Sequence, residues 1–483
     1  MRLNTRQLFA IVLFLCILLI ALQPVNDPDF WWHLRTGQFI AETGQIPRTD
    51  PFSYTMQGQP WIAHEWLTDW ILYAVYRLVG LPFLMLLFAL IITAAFATVY
   101  FRCSSGTKPY IAGFCVLLGA VASRPLWGVR PQMITLLFFG IFLLLLEKFQ
   151  KSRQRKYLIP LPILMVIWVN LHGAFILGLA LLGVFLAGEL VEWLWRRFRC
   201  KEIAPGDAIP MITLAVTLII SVLAALINPN GVKILLYPFQ TLTDPSMQQF
   251  ILEWHSPAFS DVIWLPLMII LLGLIGTGLA ARQRYSVTRV LLILAFTYAA
   301  LGSARHVPLF AIVVIPTLAD QVNALLPIKV RQGNSKPIMV LLNWVILIMF
   351  VAAVGLRFIQ QSGIQDKTTA DHYPQGAVNW ILENKPTGRM LNSYNWGGYL
   401  IWQLYREYQV YIDGRADVYG PGFFAQYADI YLAEKDWQTR LEEQKIGFVL
   451  IDPASRLAEG LSQLPGWKLV YQDKLSVIYQ AAQ

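Results

Sequence analysis

Charge is what this chain has least of. Only 14% of its 483 residues are Asp, Glu, Lys or Arg, while 56% are hydrophobic. A soluble globular domain carries about 25% charged residues. The shortage excludes an ordinary soluble protein, and apolar runs near the ~20-residue spanning length point to a polytopic membrane protein. Cysteine is scarce as well. Cys16, Cys103, Cys115 and Cys200 fall in apolar runs or short basic loops, which excludes a disulfide framework and shows no metal-type spacing. There is no P-loop and no dinucleotide fingerprint, so a nucleotide site is not expected. No clear internal repeat of the kind found in many transporters is visible. The formal net charge is +9. In a membrane protein that excess reads as cytoplasmic loop charge, and no nucleic-acid partner is expected.

The apolar runs predict about eleven transmembrane helices, at roughly 7–24, 82–101, 110–124, 131–147, 157–171, 174–195, 209–227, 262–281, 288–303, 307–325 and 338–358. The first is read as a retained helix, because its core is long and no small-x-small cleavage site follows. Basic residues then collect in one set of loops: Arg102 and Lys108; Lys148 to Lys156; Arg196 to Lys201; Arg282 and Arg284; Lys329, Arg331 and Lys336. With Arg2 and Arg6 they mark the cytoplasmic face. An odd number of spans sends the C-terminal tail outside. Residues 61–80 fit the charge pattern only as an interfacial helix lying on the outer surface.

The outer loops carry compact polar motifs. These are "FWWHLRTG" with His33 and Arg35, "SRPLWGVRPQ" with Arg124 and Arg130, "NLHG" with His172, "INPNGVK" with Lys233, and "SARH" with Arg305 and His306. One arginine at a span end commonly snorkels. Several motifs on one face point to a shared anion site, since polar groups at that depth are costly unless used. The guanidinium fork matches phosphate oxygens. The natural ligand there is the headgroup of a lipid-linked phosphate or pyrophosphate.

The acids give a second signal. "NDPDFWWHLRTG" (26–37) follows the first span directly. Asp27 suits an N-cap, Pro28 the first helical position, and Asp29 the positive end of a helix over 28–41. Asp29 and His33 then share a face at i and i+4, while Arg35 points away. Capping accounts for one acid but not for His33 beside a membrane, so Asp27, Asp29 and His33 are candidates for catalysis or ligand binding. Further on, Asp50-Pro51 reads as a structural turn. Glu65 and Asp69 share a helical face, with His64 adjoining, and like charges there repel unless a cation or partner lies between them. A solvated face and a substrate contact are the two readings of that group.

From about Gln361 the composition changes, and a small α/β domain of ~120 residues is expected. Strands are predicted in "GRMLNSY", "YQVYIDG" and "GFVLIDP", with a terminal hairpin in "WKLVYQDKLSVIYQ". "NWGGYLIW" sets a glycine pair beside tryptophans. "YIDGRADVYG" places Asp413, Arg415 and Asp417 just after a strand, where α/β domains bind ligands. A tight turn with an internal Asp–Arg pair is the other reading. The expected domains are therefore 1–360, with an outer loop at 25–80, and 361–483.

One span, an Asp-x-Asp pair directly after it in a long outer loop, many further spans and an α/β tail form an order of parts that resembles the glycosyltransferase C superfamily. The tail lacks the Trp-Trp-Asp-Tyr-Gly signature of the oligosaccharyltransferases, and the first loop lacks the Asp-Glu pair frequent in protein O-mannosyltransferases. "HEW" and "DGRADVYG" look like elements of bacterial members of the group. The resemblance implies an enzyme of the bacterial inner membrane, its N-terminus cytoplasmic and its tail extracytoplasmic. It would move a sugar from a polyprenyl-phosphate lipid to a glycan, lipid or protein acceptor. Asp27 or Asp29 would be the general base, with His33 orienting it or the acceptor. Arg35, Arg124, Arg130, His172, Arg305 and His306 would meet the lipid phosphate. His64, Glu65, Asp413, Arg415 and Asp417 would face the acceptor. An Asp-x-Asp pair also suits Mg or Mn. Three other functions stay open: a ligase or polymerase acting on polyprenyl-pyrophosphate glycans, a transporter of lipid-linked substrates, and a non-catalytic assembly protein.

Overall fold

A computed structural model describes residues 3–103, 107–200, 206–243, 251–326 and 337–482, without the side chains of Cys200 and Thr243. Arg2, Lys201, Lys329, Arg331 and Lys336, used above to assign sidedness, lie outside the described residues.

Each of the eleven apolar runs is helical. Among the described residues seven helices are long and apolar enough to cross a membrane: Trp66–Arg102, Pro109–Leu126, Gln132–Ser152, Gly173–Arg199, Val262–Ala281, Ala304–Leu325 and Pro337–Gly363. Thr5–Ala21, Ile209–Ala225 and Val287–Gly302 are shorter and apolar, and Pro160–Leu171 is shorter still at 12 residues. The chain is an integral membrane protein. Its contacts form two units: Met1–Gln23, Met85–Pro238 and Leu252–Gln361; and Pro24–Leu84, Phe239–Ile251 and Ser362–Gln483. Residues 24–84 fall in the same unit as residues 362–483.

At the heart of the membrane unit is Ala304–Leu325, whose apolar window is 78% buried. It packs against Pro109–Ser123, Leu265–Ala281 and Val287–Gly302. Pro337–Gly363, only 6% buried in the same measure, is apolar all round with little protein to cover it, as suits a lipid-facing helix. Pro316 lies inside the central helix. It has no N–H to give the carbonyl of Ile312 four residues back. Arg102 Nη1 donates to that carbonyl instead, while its Nη2 and Nε hold Glu147 at 2.7 and 3.2 Å. The arginine of the ion pair thus supplies the donor that the proline lacks.

The second unit contains a four-stranded sheet in the order β1-β2-β4-β3, with β1 Arg389–Asn392, β2 Ile446–Ile451, β3 Trp467–Gln472 and β4 Val477–Ala481. β1 and β2 are parallel and the other pairs antiparallel. The terminal hairpin lies where "QDK" predicts it. The strand expected in "YQVYIDG" does not form. Its backbone is claimed from two sides. Val410 N–H donates to Phe52 O, and Tyr54 N–H to Val410 O, each at 3.2 Å. The Asn392 side chain accepts the Tyr411 N–H and donates to Ile412 O, each at 2.8 Å. One side chain thus does the work of a neighbouring strand.

The expected helix over 61–80 also changes. It begins at Trp66 and runs to Arg102, with a break at Gly80 (φ 79°, ψ −179°), a conformation open essentially to glycine alone. Residues before Trp66 stay out of the helix because Trp61 N–H donates to Arg48 O and Thr49 bridges to Pro60.

Replacing Asn392 by Ala would leave the Tyr411 N–H and the Ile412 carbonyl buried without these partners. A loss of about 1–3 kcal/mol is expected, read as a lower denaturation midpoint of the full chain in detergent. An unchanged midpoint would show that the segment finds other partners.

Candidate active site

The first-loop helix runs Phe30–Thr43, two residues later than its expected start. Asp27 is the reason. Its Oδ1 accepts the Asp29 N–H at 2.9 Å and its carbonyl accepts the Phe30 N–H, an Asx turn that holds residues 27–29 out of the helix. Asp29 is then the capping position but makes no side-chain cap bond. Its Oδ1 accepts Trp32 Nε1 at 3.1 Å. The carboxylate lies so close to Gly414 that a side chain at 414 would overlap it.

The His33 N–H donates to the Asp29 carbonyl at 3.2 Å, but the imidazole is bonded elsewhere. His33 Nδ1 lies 2.7 Å from Asp69 Oδ1, and its Nε2 lies 3.5 Å from Glu65 Oε2. Glu65 Oε1 lies 3.5 Å from His64 Nε2. The result is a buried line Asp69–His33–Glu65–His64. Gly37, one turn beyond His33, makes the approach possible, since a Cβ there would overlap the Asp69 carbonyl. Trp32 covers His33, ring centroids 3.6 Å apart. His33 sits between the two like-charged acids.

Electrostatics follow from this packing. Burial alone would lower the His33 pKa, but Asp69 and then Glu65 outweigh it and lift the group to about 9. The imidazole is therefore charged at neutral pH. His64 is raised too, against burial, by Glu65 and then Asp417. Burial raises the Asp417 carboxyl in spite of His64 and Arg415. Tyr394, which the sequence did not single out, has its hydroxyl held well above the usual range by burial, then by Asp29, Asp413 and Asp417. These electrostatic couplings join Asp29 and Asp417 to Tyr394 and the two histidines.

Asp413 and Arg415 do something else. The Arg415 side chain has no exposed surface. Its Nη2 and Nε hold Asp413 at 2.7 and 2.8 Å, and its Nη1 holds Asp50 Oδ1 at 2.7 Å. The guanidinium lies 4.7 Å from the Trp61 ring centre and 5.1 Å from that of Phe52. Tyr419 donates to Asp413 at 2.6 Å, and Asp50 accepts from the Phe52 N–H and the Ser53 hydroxyl. This triad fastens the first loop to the tail. Of the residues expected at the acceptor, His64, Glu65 and Asp417 gather, while Asp413 and Arg415 are engaged in the triad. Arg35 stands apart: it donates to Gln38 at 2.7 Å and to the Tyr405 carbonyl at 3.2 Å, and lies over the Tyr405 ring.

In the membrane unit, Arg130 pairs with Glu253, Nη1 to Oε1 2.5 Å. Burial would raise the Glu253 carboxyl, but Arg130 and then Arg305 hold it below its ordinary value. Arg305 lies 5.1 Å from the Trp254 ring centre, and the His306 ring 6.4 Å from it. Arg130, Arg305 and His306 are thus gathered around Glu253–Trp254, a pair the sequence reading passed over. An acid among basic outer motifs was the signal that could have found it. Arg124 is exposed on the turn Arg124–Leu126. His172 is buried. Its Nδ1 accepts the Ala174 N–H at 3.2 Å and lies 2.7 Å from Thr135 Oγ1, which accepts Trp168 Nε1 at 3.0 Å. Nδ1 is therefore the acceptor, Thr135 donates to it, and the ring proton belongs on Nε2.

The first-loop acids do not form a ready oxygen cage for Mg or Mn. One oxygen of each faces a donor, Asp27 the Asp29 N–H and Asp29 the Trp32 indole. Among the described residues no three His, Cys, Asp or Glu side chains are grouped to hold a metal.

No protein-family model matches the chain, and no curated protein matches it. Solved structures do. AglB, an oligosaccharyltransferase of Archaeoglobus fulgidus solved with an inhibitory peptide and a dolichol-phosphate, matches over 99% of this chain and 74% of its own, with TM-score 0.55 and 13% identity. ArnT of Cupriavidus metallidurans in its apo state matches over 96% of each chain, with TM-score 0.52 and 13% identity. At such identities the likeness is one of fold. The chain shares the fold of these two structures, with polytopic membrane helices and a C-terminal α/β domain.

Two outcomes are expected. The His33 pKa, ~6.5 in an unfolded chain, is raised to about 9 on folding. Its stabilisation is fully present below ~6.5 and is lost as pH rises through about 9. The melting temperature of the full chain should therefore fall between pH 6.5 and 9.5, and fall less in His33→Gln; equal slopes would contradict this. Asp50→Ala leaves Arg415 buried with one partner fewer and is expected to cost about 3–5 kcal/mol in chemical denaturation.

Proposed function

We propose that the chain is a membrane transferase that takes a sugar from a polyprenyl-phosphate donor and delivers it to a hydroxyl of an extracytoplasmic acceptor. The first loop and the tail face the extracytoplasmic side. The fold shared with AglB, whose structure holds a dolichol-phosphate, supports this. The observation that carries it is Asp29: a half-buried carboxylate just after the first span, coupled electrostatically to a charged, buried histidine.

Sugar transfer to a hydroxyl needs a base. As the acceptor oxygen bonds to the anomeric carbon, its proton goes to a carboxylate, and the bond from that carbon to the lipid phosphate breaks. Asp29 takes the proton. Asp27 is less suited, because one of its oxygens shapes the turn. The charged His33 lies within the field of Asp29. His33 is a positioning residue, held by Asp69 and Glu65. Arg130 and Arg305 bind the lipid phosphate and stabilise the charge that grows on it as it leaves. Asp417, His64 and Tyr394 face the acceptor, whose chemical class is a glycan, a lipid or a protein.

The test is transfer of labelled sugar from polyprenyl-phosphate donors in proteoliposomes. Asp29→Ala is expected to lower kcat about 10²–10⁴-fold, with Asp27→Ala less affected and Arg305→Gln raising KM for the donor. If both acid variants transferred at the parent rate, the base would be misassigned. If the parent transferred no sugar from any such donor, the transferase proposal itself would fail.

A further inference from the structure

The membrane unit has a polar cavity at the end where the basic loops gather. Its volume is about 310 Å³. Arg102, 4% exposed, lies in its wall with Glu147 and with Pro316 of the central helix. None of the residues assigned to transfer lines it.

Its charges do not cancel. Arg102 is neutralised by Glu147. Arg153 pairs with Glu189 at 2.7 Å, and Arg289 approaches Asp320 at 3.4 Å. Glu192 accepts the Val287 N–H at 3.2 Å and lies 3.8 Å from Arg196. Lys151 and Arg284 also line the cavity; both are exposed, and neither has an acidic partner among the described residues. Two uncompensated cations over a polar, built cavity suit one phosphodiester or phosphomonoester. Two helices that line the cavity also carry exposed apolar side chains: Val191 and Leu194 on one, Val290 and Leu294 on the other. Arg199 lies 4.3 Å from the ring centre of Trp195 on the first, a pairing that suits a membrane interface. A headgroup in the cavity would have its acyl chains against those helices.

We infer that this cavity holds the phosphate headgroup of an anionic membrane lipid, distinct from the donor. Basic pockets between transmembrane helices bind such headgroups. The inference does not depend on the transferase proposal, and its test does not use transfer as a readout. Delipidated full-length protein in neutral detergent would be titrated with phosphatidylglycerol, phosphatidylcholine or inorganic phosphate and read by native mass spectrometry. Phosphatidylglycerol adducts are expected, phosphatidylcholine adducts are not, and inorganic phosphate should displace little lipid. Lys151→Gln and Arg284→Gln should each weaken phosphatidylglycerol binding about fivefold, while Arg456→Gln in the tail should not. Equal binding of phosphatidylcholine, or parent-like binding by the double variant, would overturn the site. Binding of inorganic phosphate in place of lipid would overturn the lipid as its occupant.

Discussion

A guanidinium with no exposed surface, held between two buried carboxylates, is the fixed point of the second unit. Arg415 joins Asp413 of the tail to Asp50 of the first loop. Removing these charges from water costs several kcal/mol per ion, which close contact and further hydrogen bonds offset only when every partner is present. Phe52 and Trp61 lie against the same guanidinium. Trp61 approaches Trp32, and Trp32 both covers His33 and donates to Asp29. The position of the candidate base therefore rests on a buried ion triad.

The same logic governs the neighbouring line of acids and histidines. Glu65 and Asp69 would repel in a buried site, and a charged His33 between them removes the conflict. A satisfied polar network of this kind is rigid, and a half-satisfied one is costly. In the membrane unit Arg102 plays a comparable part: it neutralises Glu147 and supplies the donor that Pro316 lacks. Each unit thus has a buried arginine whose bonds answer a local defect of charge or backbone.

The membrane spans were legible in the sequence because a bilayer imposes length and composition directly. The tail's hairpin and its buried strand β2 were legible for the same kind of reason, a pattern with a fixed period. What was not legible depended on partners far away in sequence. The spacing of Asp29 and His33 correctly put them on one face, yet the bond to His33 comes from Asp69, 36 residues on. Residues 408–414 alternate like a strand, but Asn392 and Phe52–Tyr54 take up their backbone groups. "DGRAD" allows an internal Asp–Arg pair but gives no sign of Asp50, 365 residues earlier, which also holds Arg415. Glu253 was missed because only its contact with Arg130 gives it meaning.

The role of Asp29 can be tested by restoring what its removal takes away. Asp29→Gly would be supplied with formate in the transfer assay, so that an external carboxylate takes the acceptor proton. Recovery of transfer with rising formate in Asp29→Gly, and no recovery in Asp27→Gly, is the expected result. Recovery at Asp27→Gly alone, or parent-like transfer by Asp29→Gly without formate, would contradict Asp29 as the base.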